Sequence, residues 1–201
     1  HPDVLMQTHL REQVDELAGA GSLYPQARDY LDVYEAHGLR GARGVYGHAI
    51  HLSARERDRL AEHSAGLAHC PTSNTFIGSG LFALAGLAGA GQATGLATDT
   101  GGGSSFSMLR TMAAAYEVAQ LRGHAVHPAA LLWLATEGSA QVLHRGHEIG
   151  RIAPGYAADL TVLDLASTPA IAQRHARAHD MWVAVFPTIM MGAARAIADV
   201  W

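Results

Sequence analysis

The sequence predicts an α/β fold with a parallel sheet. Short apolar runs alternate with stretches of helical spacing, which is the pattern of βα units. Four of those runs close on chemistry-bearing side chains, His9, His48, His69 and Asp99. Apolar residues make up 49% of the 201 positions, enough to bury a core.

Val4 to His9 reads as the first strand. Arg11 to Ala20 carries Val14, Leu17 and Ala18 at helical spacing, and Pro25 to His37 repeats it with Tyr30, Leu31 and Tyr34 before Gly38. Val45 to His48 is a second strand. Ser53 then caps a helix from Ala54 to Ser64, with Glu56 at the capping-box position. Gly66 to His69 is a third strand, and the turn formers of Cys70-Pro71-Thr72-Ser73-Asn74 predict a loop. After a short helix from Leu84 to Ala90, Gly95 to Asp99 forms a fourth strand. Met108 to Arg122 is an amphipathic helix with Leu109, Met112, Ala113, Tyr116 and Ala119 on one side, and Pro128 to Leu143 is another helix. Beyond the turn-rich Gly150 to Gly155, the pattern gives a strand from Ala158 to Asp164. A polar, alanine-rich stretch from Ala166 to Asp180 follows, then an apolar helix from Met181 to Met191 and a last strand near Ala196. Residues 1–148 are expected to form one unit and residues 149–201 a segment of a smaller β-rich one.

A net charge of −4 and a pI near 6.3 offer no basic face for nucleic acid or an anionic membrane. The expected partner is a small molecule. Cys70 is the single cysteine, which excludes an intrachain disulfide and suits a reducing compartment. No apolar run approaches the roughly 20 residues of a membrane span, so cytoplasm is the expected location. His1-Pro2-Asp3 leads almost directly into a strand, and Ile197 to Trp201 stops inside another. Both ends are therefore expected to be internal to a longer protein.

Strand ends are where a β/α barrel collects its active site, from residues far apart in sequence. Four βα units make half of such a barrel, which takes about 250 residues to close. An imidazole at His9, a second carboxylate at Glu12 and an aspartate at a later strand end, Asp99, are what a hydrolytic metal site needs. Each has a plainer reading as well. His9 can be a hydrogen-bonded strand-end residue, Glu12 a first-turn carboxylate favoured by the helix dipole, and Asp99 a turn former before Gly101-Gly102-Gly103. His69 can line the pocket or bond loop backbone, and the second is the expectation. The glycines after Thr100 lack the Lys and Ser/Thr ending of a phosphate loop.

Four segments occur in order: Thr8-His9-Leu10-Arg11-Glu12, Gly47-His48-Ala49-Ile50-His51-Leu52, His69-Cys70-Pro71-Thr72-Ser73-Asn74 and Ala97-Thr98-Asp99-Thr100-Gly101-Gly102-Gly103. Together they resemble the amidohydrolase superfamily over nearly the whole chain. Gly150-Arg151-Ile152-Ala153-Pro154-Gly155-Tyr156-Ala157-Ala158-Asp159-Leu160 resembles the strand returning from that superfamily's barrel to its accessory β-sandwich. Tyr30 to Tyr34, Phe76 to Phe82 and Ser105 to Leu109 are similar to its guanine deaminase branch.

The resemblance implies the carboxyl-terminal half of a metal-dependent hydrolase (β/α)8 TIM barrel, residues 1–148, with residues 149–201 returning to the β-sandwich. It implies zinc as cofactor, with His9 and Asp99 as ligands. It implies Glu12, His48 and Asp99 as catalytic groups, and His9, Glu12, His48 and Asp99 as the substrate-facing set. The implied reaction is hydrolytic deamination of guanine to xanthine and ammonia, in purine catabolism, by a homodimer. One departure stands out. The superfamily's His-x-His ligand pair is missing, since no two histidines here lie two positions apart. This chain is therefore expected to carry at most half a metal site and to be inactive alone. Two alternatives stay open: another aminated heterocycle as substrate (cytosine, adenosine, a triazine), and a catalytically silent scaffold.

Overall fold

Four strands form one parallel sheet in sequence order: β1 (Met6–Leu10), β2 (Gly44–His48), β3 (Gly66–His69) and β4 (Thr94–Leu96). The computed structural model describes residues 4–201, so the expectation attached to His1, Pro2 and Asp3 lies outside the described residues. Helices occupy each crossover, as parallel pairing demands. They are α1 (Val14–Leu23) and α2 (Tyr30–Ala36), then α3 (Ala54–Glu62), then α4 (Pro71–Phe76) and α5 (Leu84–Gly89). Register places His9 opposite Gly47, Leu10 opposite His48 and His69 opposite Leu96, so the strand ends share one edge. Leu10, Tyr46, Leu67 and Leu96 from the strands pack with Leu31, Leu60, Leu87, Met112 and Leu131 from the helices in one core.

Several boundaries move for local reasons. The first helix starts at Val14 rather than Arg11, because Glu16 turns its carboxylate back to accept from the amides of Glu12 and Gln13. Asp29 caps α2 by accepting from Asp32 N, which leaves Pro25 to Arg28 outside it. The capping box of Ser53 and Glu56 on α3 forms as its sequence spells out. Residues 71–76 are a helix, not the expected loop. Pro71 stands at a first-turn position, where its missing N–H and preset φ cost nothing. The fourth strand ends at Leu96, three residues before Asp99.

Helix α6 (Met108–Leu121) buries the face its spacing predicts. The long helix expected next is interrupted: α7 (Pro128–Trp133) runs into a π-helical turn, Leu134–Gly138, and then α8 (Ser139–Val142). Ser139 thereby reaches β4, its Oγ donating to Leu134 O at 2.8 Å and accepting from Leu96 N at 3.2 Å. Towards the carboxyl end, β5 (Thr161–Leu163) pairs antiparallel with β6 (Ile197–Val200). Between them lie α9 (Pro169–His175), within the stretch read as merely polar, and α10 (Met181–Met191), which packs on α6, α7 and α9. Among the described residues no helix is long and apolar enough to cross a membrane.

Candidate metal centre

His9 sits next to the end of β1, where Tyr34 of α2 holds the backbone. The Tyr34 hydroxyl donates to His9 O at 3.1 Å and meets Thr8 Oγ1 at 2.9 Å. The motif Tyr30 to Tyr34 thus fixes a strand end as well as filling the core. The His9 side chain is 55% exposed, and its Nδ1 lies 3.9 Å from Glu12 Oε2. Glu12 follows the turn at Arg11 and is mostly buried, and its amide is held by Glu16.

His48 ends β2 and is buried at 1% exposure. Its backbone adopts φ +66°, and Ala49 follows at +50°. Left-handed backbone is unfavourable for such residues, so surrounding contacts must over-determine it. Leu10 O accepts from Ala49 N at 2.9 Å, and Arg11 O accepts from Ile50 N and His51 N, which ties the turn after β2 to the end of β1. His48 Nδ1 faces two acceptors, Asn74 Oδ1 at 2.8 Å and Glu12 Oε1 at 3.3 Å. A carboxylate only accepts, so Nδ1 carries the proton in the neutral ring and Nε2 keeps its lone pair. Nε2 lies 3.9 Å from Asp99 Oδ2. The rings of His9 and His48 meet edge to face, 4.7 Å between centroids.

Asp99 is also left-handed, at φ +49°. Its carbonyl accepts from Gly103 N at 2.5 Å, and Thr72 of α4 donates to Thr98 O at 3.2 Å. The loop after β4 is thus anchored to α4, and its aspartate turns toward His48.

These donors fall into two groups whose ligand atoms lie within 4.8 Å of one another: His9, Glu12 and His48, and His48, Cys70 and Asp99. His9 and Asp99 occur in different groups and are bridged by His48. Imidazole nitrogens and carboxylate oxygens suit a borderline divalent ion such as zinc. His9 Nδ1 stands 3.9 Å from Glu12 Oε2, beyond hydrogen-bond distance, on a ring exposed enough to ligate. The residues present therefore fit part of a metal site. Cys70 fits it least, because burial pushes its thiol up to about 12, with the charge of Asp99 adding to the rise.

His69 does not bond loop backbone. Its ring stacks on Phe82 at 4.3 Å, and neither nitrogen has a partner among the described residues. Complete burial, with the His48 ring nearby, holds its pKa down at about 3. Two residues near the site, Ser79 and Cys70, escaped sequence reasoning, whereas Asn74 reads in the sequence either as shaping a substrate-side loop or as a turn former. Asn74 and Ser79 touch His48 and Glu12, and Cys70 lies between His48 and Asp99. The segments quoted for the resemblance contain all three, but nothing singled out Ser79.

Comparison with known proteins places this geometry in context. Residues 1–190 match the amidohydrolase family model. The guanine deaminase of Escherichia coli K12 is 39% identical over 197 residues, covering 98% of this chain and 45% of that protein. The solved structure of the E. coli enzyme superposes with a TM-score of 0.98 at 38% identity, covering 100% of this chain and 47% of that one. A probable guanine deaminase of Deinococcus radiodurans is 38% identical, covering 100% of this chain and 46% of its own length. A Xanthomonas campestris adenosine deaminase solved with bound zinc superposes at a TM-score of 0.85 and 26% identity, covering 99% and 44%. The chain spans about half the length of the curated relatives it matches. The four parallel strands correspond to half of an eight-stranded barrel.

Proposed function

Because the chain belongs to the amidohydrolase family, we propose that it contributes one wall of a zinc-dependent guanine deaminase, converting guanine and water to xanthine and ammonia. The observation that carries the reading is the convergence of Glu12, His48 and Asp99 from three strand ends. His9 and Asp99 would hold the metal, with the remaining ligands supplied from outside this chain. Zinc, when bound, supplies Lewis acidity and brings the pKa of water down to about 7.

The chain's own groups handle the protons. Glu12, mostly buried and free of the metal in this scheme, takes a proton from water and gives it to the purine ring nitrogen beside the attacked carbon. A tetrahedral adduct forms at the carbon bearing the amino group. The same carboxylate then takes the proton of the adduct's hydroxyl and passes it to the amine, so that the C–N bond breaks, the carbonyl forms and ammonia leaves. His48 presents the lone pair of Nε2 on the side of Asp99, where it accepts a hydrogen bond from the attacking water and fixes its direction. With Nδ1 committed to Glu12 and Asn74, that lone pair has one orientation.

The division at residues 148 and 149 and the homodimer belong to the same reading. The dimer is supported by Met181, Val183 and Met191, apolar and exposed on α10. The deciding experiment assays the protein carrying the whole barrel against guanine, adenosine, cytosine and melamine, with zinc content measured alongside. Preference for guanine with about one zinc per chain supports the proposal. Preference for another of these heterocycles overturns the substrate, and no zinc with no turnover favours the scaffold.

A further inference from the structure

We propose that α4 and the turn Gly78-Ser79-Gly80 form a brace in which Asn74 and Ser79 are positioning residues for His48 and Glu12. The inference rests on the reading above of those two as proton-handling groups. The hydrogen bonds close a ring. Asn74 Oδ1 accepts from His48 Nδ1 at 2.8 Å, and Asn74 O accepts from Ser79 N at 2.8 Å. Ser79 Oγ donates to Glu12 Oε1 at 3.1 Å, and the same oxygen lies 3.3 Å from His48 Nδ1.

Two features give this ring a direction. Gln13 Nε2 donates to Ser79 Oγ at 3.0 Å, which occupies a lone pair of the hydroxyl and leaves its proton for Glu12. Gln13 is also Glu12's chain neighbour, so the serine is held from the segment it orients. In Asn74, Nδ2 is buried without a partner among the described residues, so the side chain works through its oxygen. That is an odd use of a buried amide if its role is only to fill α4, because an unpaired buried donor is costly.

Burial makes the brace effective. Asn74 is 1% exposed and Ser79 4%, so water does not readily replace either bond. The turn that delivers Ser79 depends on Gly80. Its φ is +131°, and a Cβ there would stand 2.9 Å from Ile50 Cγ2. Thr72 of the same helix ties down the Asp99 loop, so one short helix reaches two of the strand-end groups, and Ser79 just beyond it reaches Glu12. Chains of polar contacts of this kind orient reacting groups without touching substrate.

The test uses the protein carrying the whole barrel, with guanine turnover and the nitrogen NMR shifts of His48 as separate readouts. Asn74→Ala and Ser79→Ala should each lower kcat about 10–100-fold. KM should stay within about 3-fold and zinc content should hold, as expected when orientation rather than binding is lost. The double variant should lose less than the product of the two single losses, because both break one ring. Asn74→Asp retains the acceptor and should recover much of the rate. His48 should read as the Nδ1–H tautomer in the parent and in Asn74→Asp, and its Nδ1 resonance should shift in Asn74→Ala, where Glu12 Oε1 is left as the acceptor. The brace is overturned if both alanine variants keep the parent's kcat, or if the His48 shifts are the same in Asn74→Ala as in the parent. Should the parent fail to deaminate guanine, the assigned activity falls while the NMR comparison still judges the brace.

Discussion

Arg11 Nε lies 2.7 Å from Glu56 Oε2, and the glutamate side chain is wholly buried. The same carboxylate accepts from Ser53 N at 2.8 Å and, through its other oxygen, from Leu31 N at 3.3 Å. One buried side chain therefore joins the turn after β1, the first turn of α2 and the cap of α3. Removing one member of a buried pair leaves the other charge uncompensated, which typically costs about 3–5 kcal/mol. Glu56→Ala should lose stability on that scale by urea unfolding, while Arg11→Ala/Glu56→Ala should lose less than the sum of the single losses. Additive losses would show that the two do not act as a pair.

In the proposed mechanism Glu12 and Asp99 separate chemistry from metal retention. Glu12→Gln keeps the shape and the bond from Ser79 but cannot carry a proton, so kcat in the complete protein should fall about 100- to 10,000-fold. Its zinc content should match the parent. Asp99→Asn weakens the proposed charged ligand and should lower bound zinc as well as turnover. Elemental analysis beside steady-state kinetics reads both. Zinc loss in Glu12→Gln without loss in Asp99→Asn would exchange the two roles.

Much of this arrangement was legible because periodicity and caps act locally. Ser53 and Glu56 fix α3 through a four-residue pattern, and Gly66 to His69 is a strand with the predicted bounds. The approach of Glu12 to His48 was foreshadowed by residue type at two strand ends. What escaped depends on tertiary contacts. Pro71 to Asn74 are turn formers that become helical because Thr72 and Asn74 find partners on other strand ends. The π-helical turn before Ser139 adds a residue to the helical repeat so that its hydroxyl can meet Leu96, and spacing along α7 and α8 does not reveal it. Left-handed backbone at His48 and Asp99 likewise has no glycine to announce it.

His69 makes folding sensitive to acid. Its pKa falls from an ordinary 6.5 to about 3 in the folded chain because burial disfavours the imidazolium. Between those values the unfolded chain takes up a proton that the folded chain refuses. Stability is therefore complete above pH 6.5 and falls on acidification, by about 1.4 kcal/mol per pH unit. His69→Leu has no such proton to take up. Its stability loss from pH 7 to pH 5 should be smaller than the parent's by about 2 kcal/mol, read from urea midpoints at the two values. Equal losses in the two proteins would mean that His69 is protonated within the fold.

Gly95 tests the packing of the π-helical turn on β4. A Cβ at this position would lie 2.7 Å from both Ser139 Cα and Ser139 Oγ, and Cα is backbone that no rotamer change can move. Gly95→Ala must therefore push α8 away from the sheet and weaken the bond between Ser139 Oγ and Leu96 N. Overpacking of this kind costs about 1–3 kcal/mol. Ser139→Ala removes the hydroxyl without crowding and should cost about 1–3 kcal/mol for a buried amide left unpaired. The pair should be less than additive, since the bond lost in one variant is already strained in the other. Thermal unfolding of the four proteins measures it. A Gly95→Ala variant as stable as the parent would show that α8 yields freely, so that the close approach to β4 does not hold the helix in place.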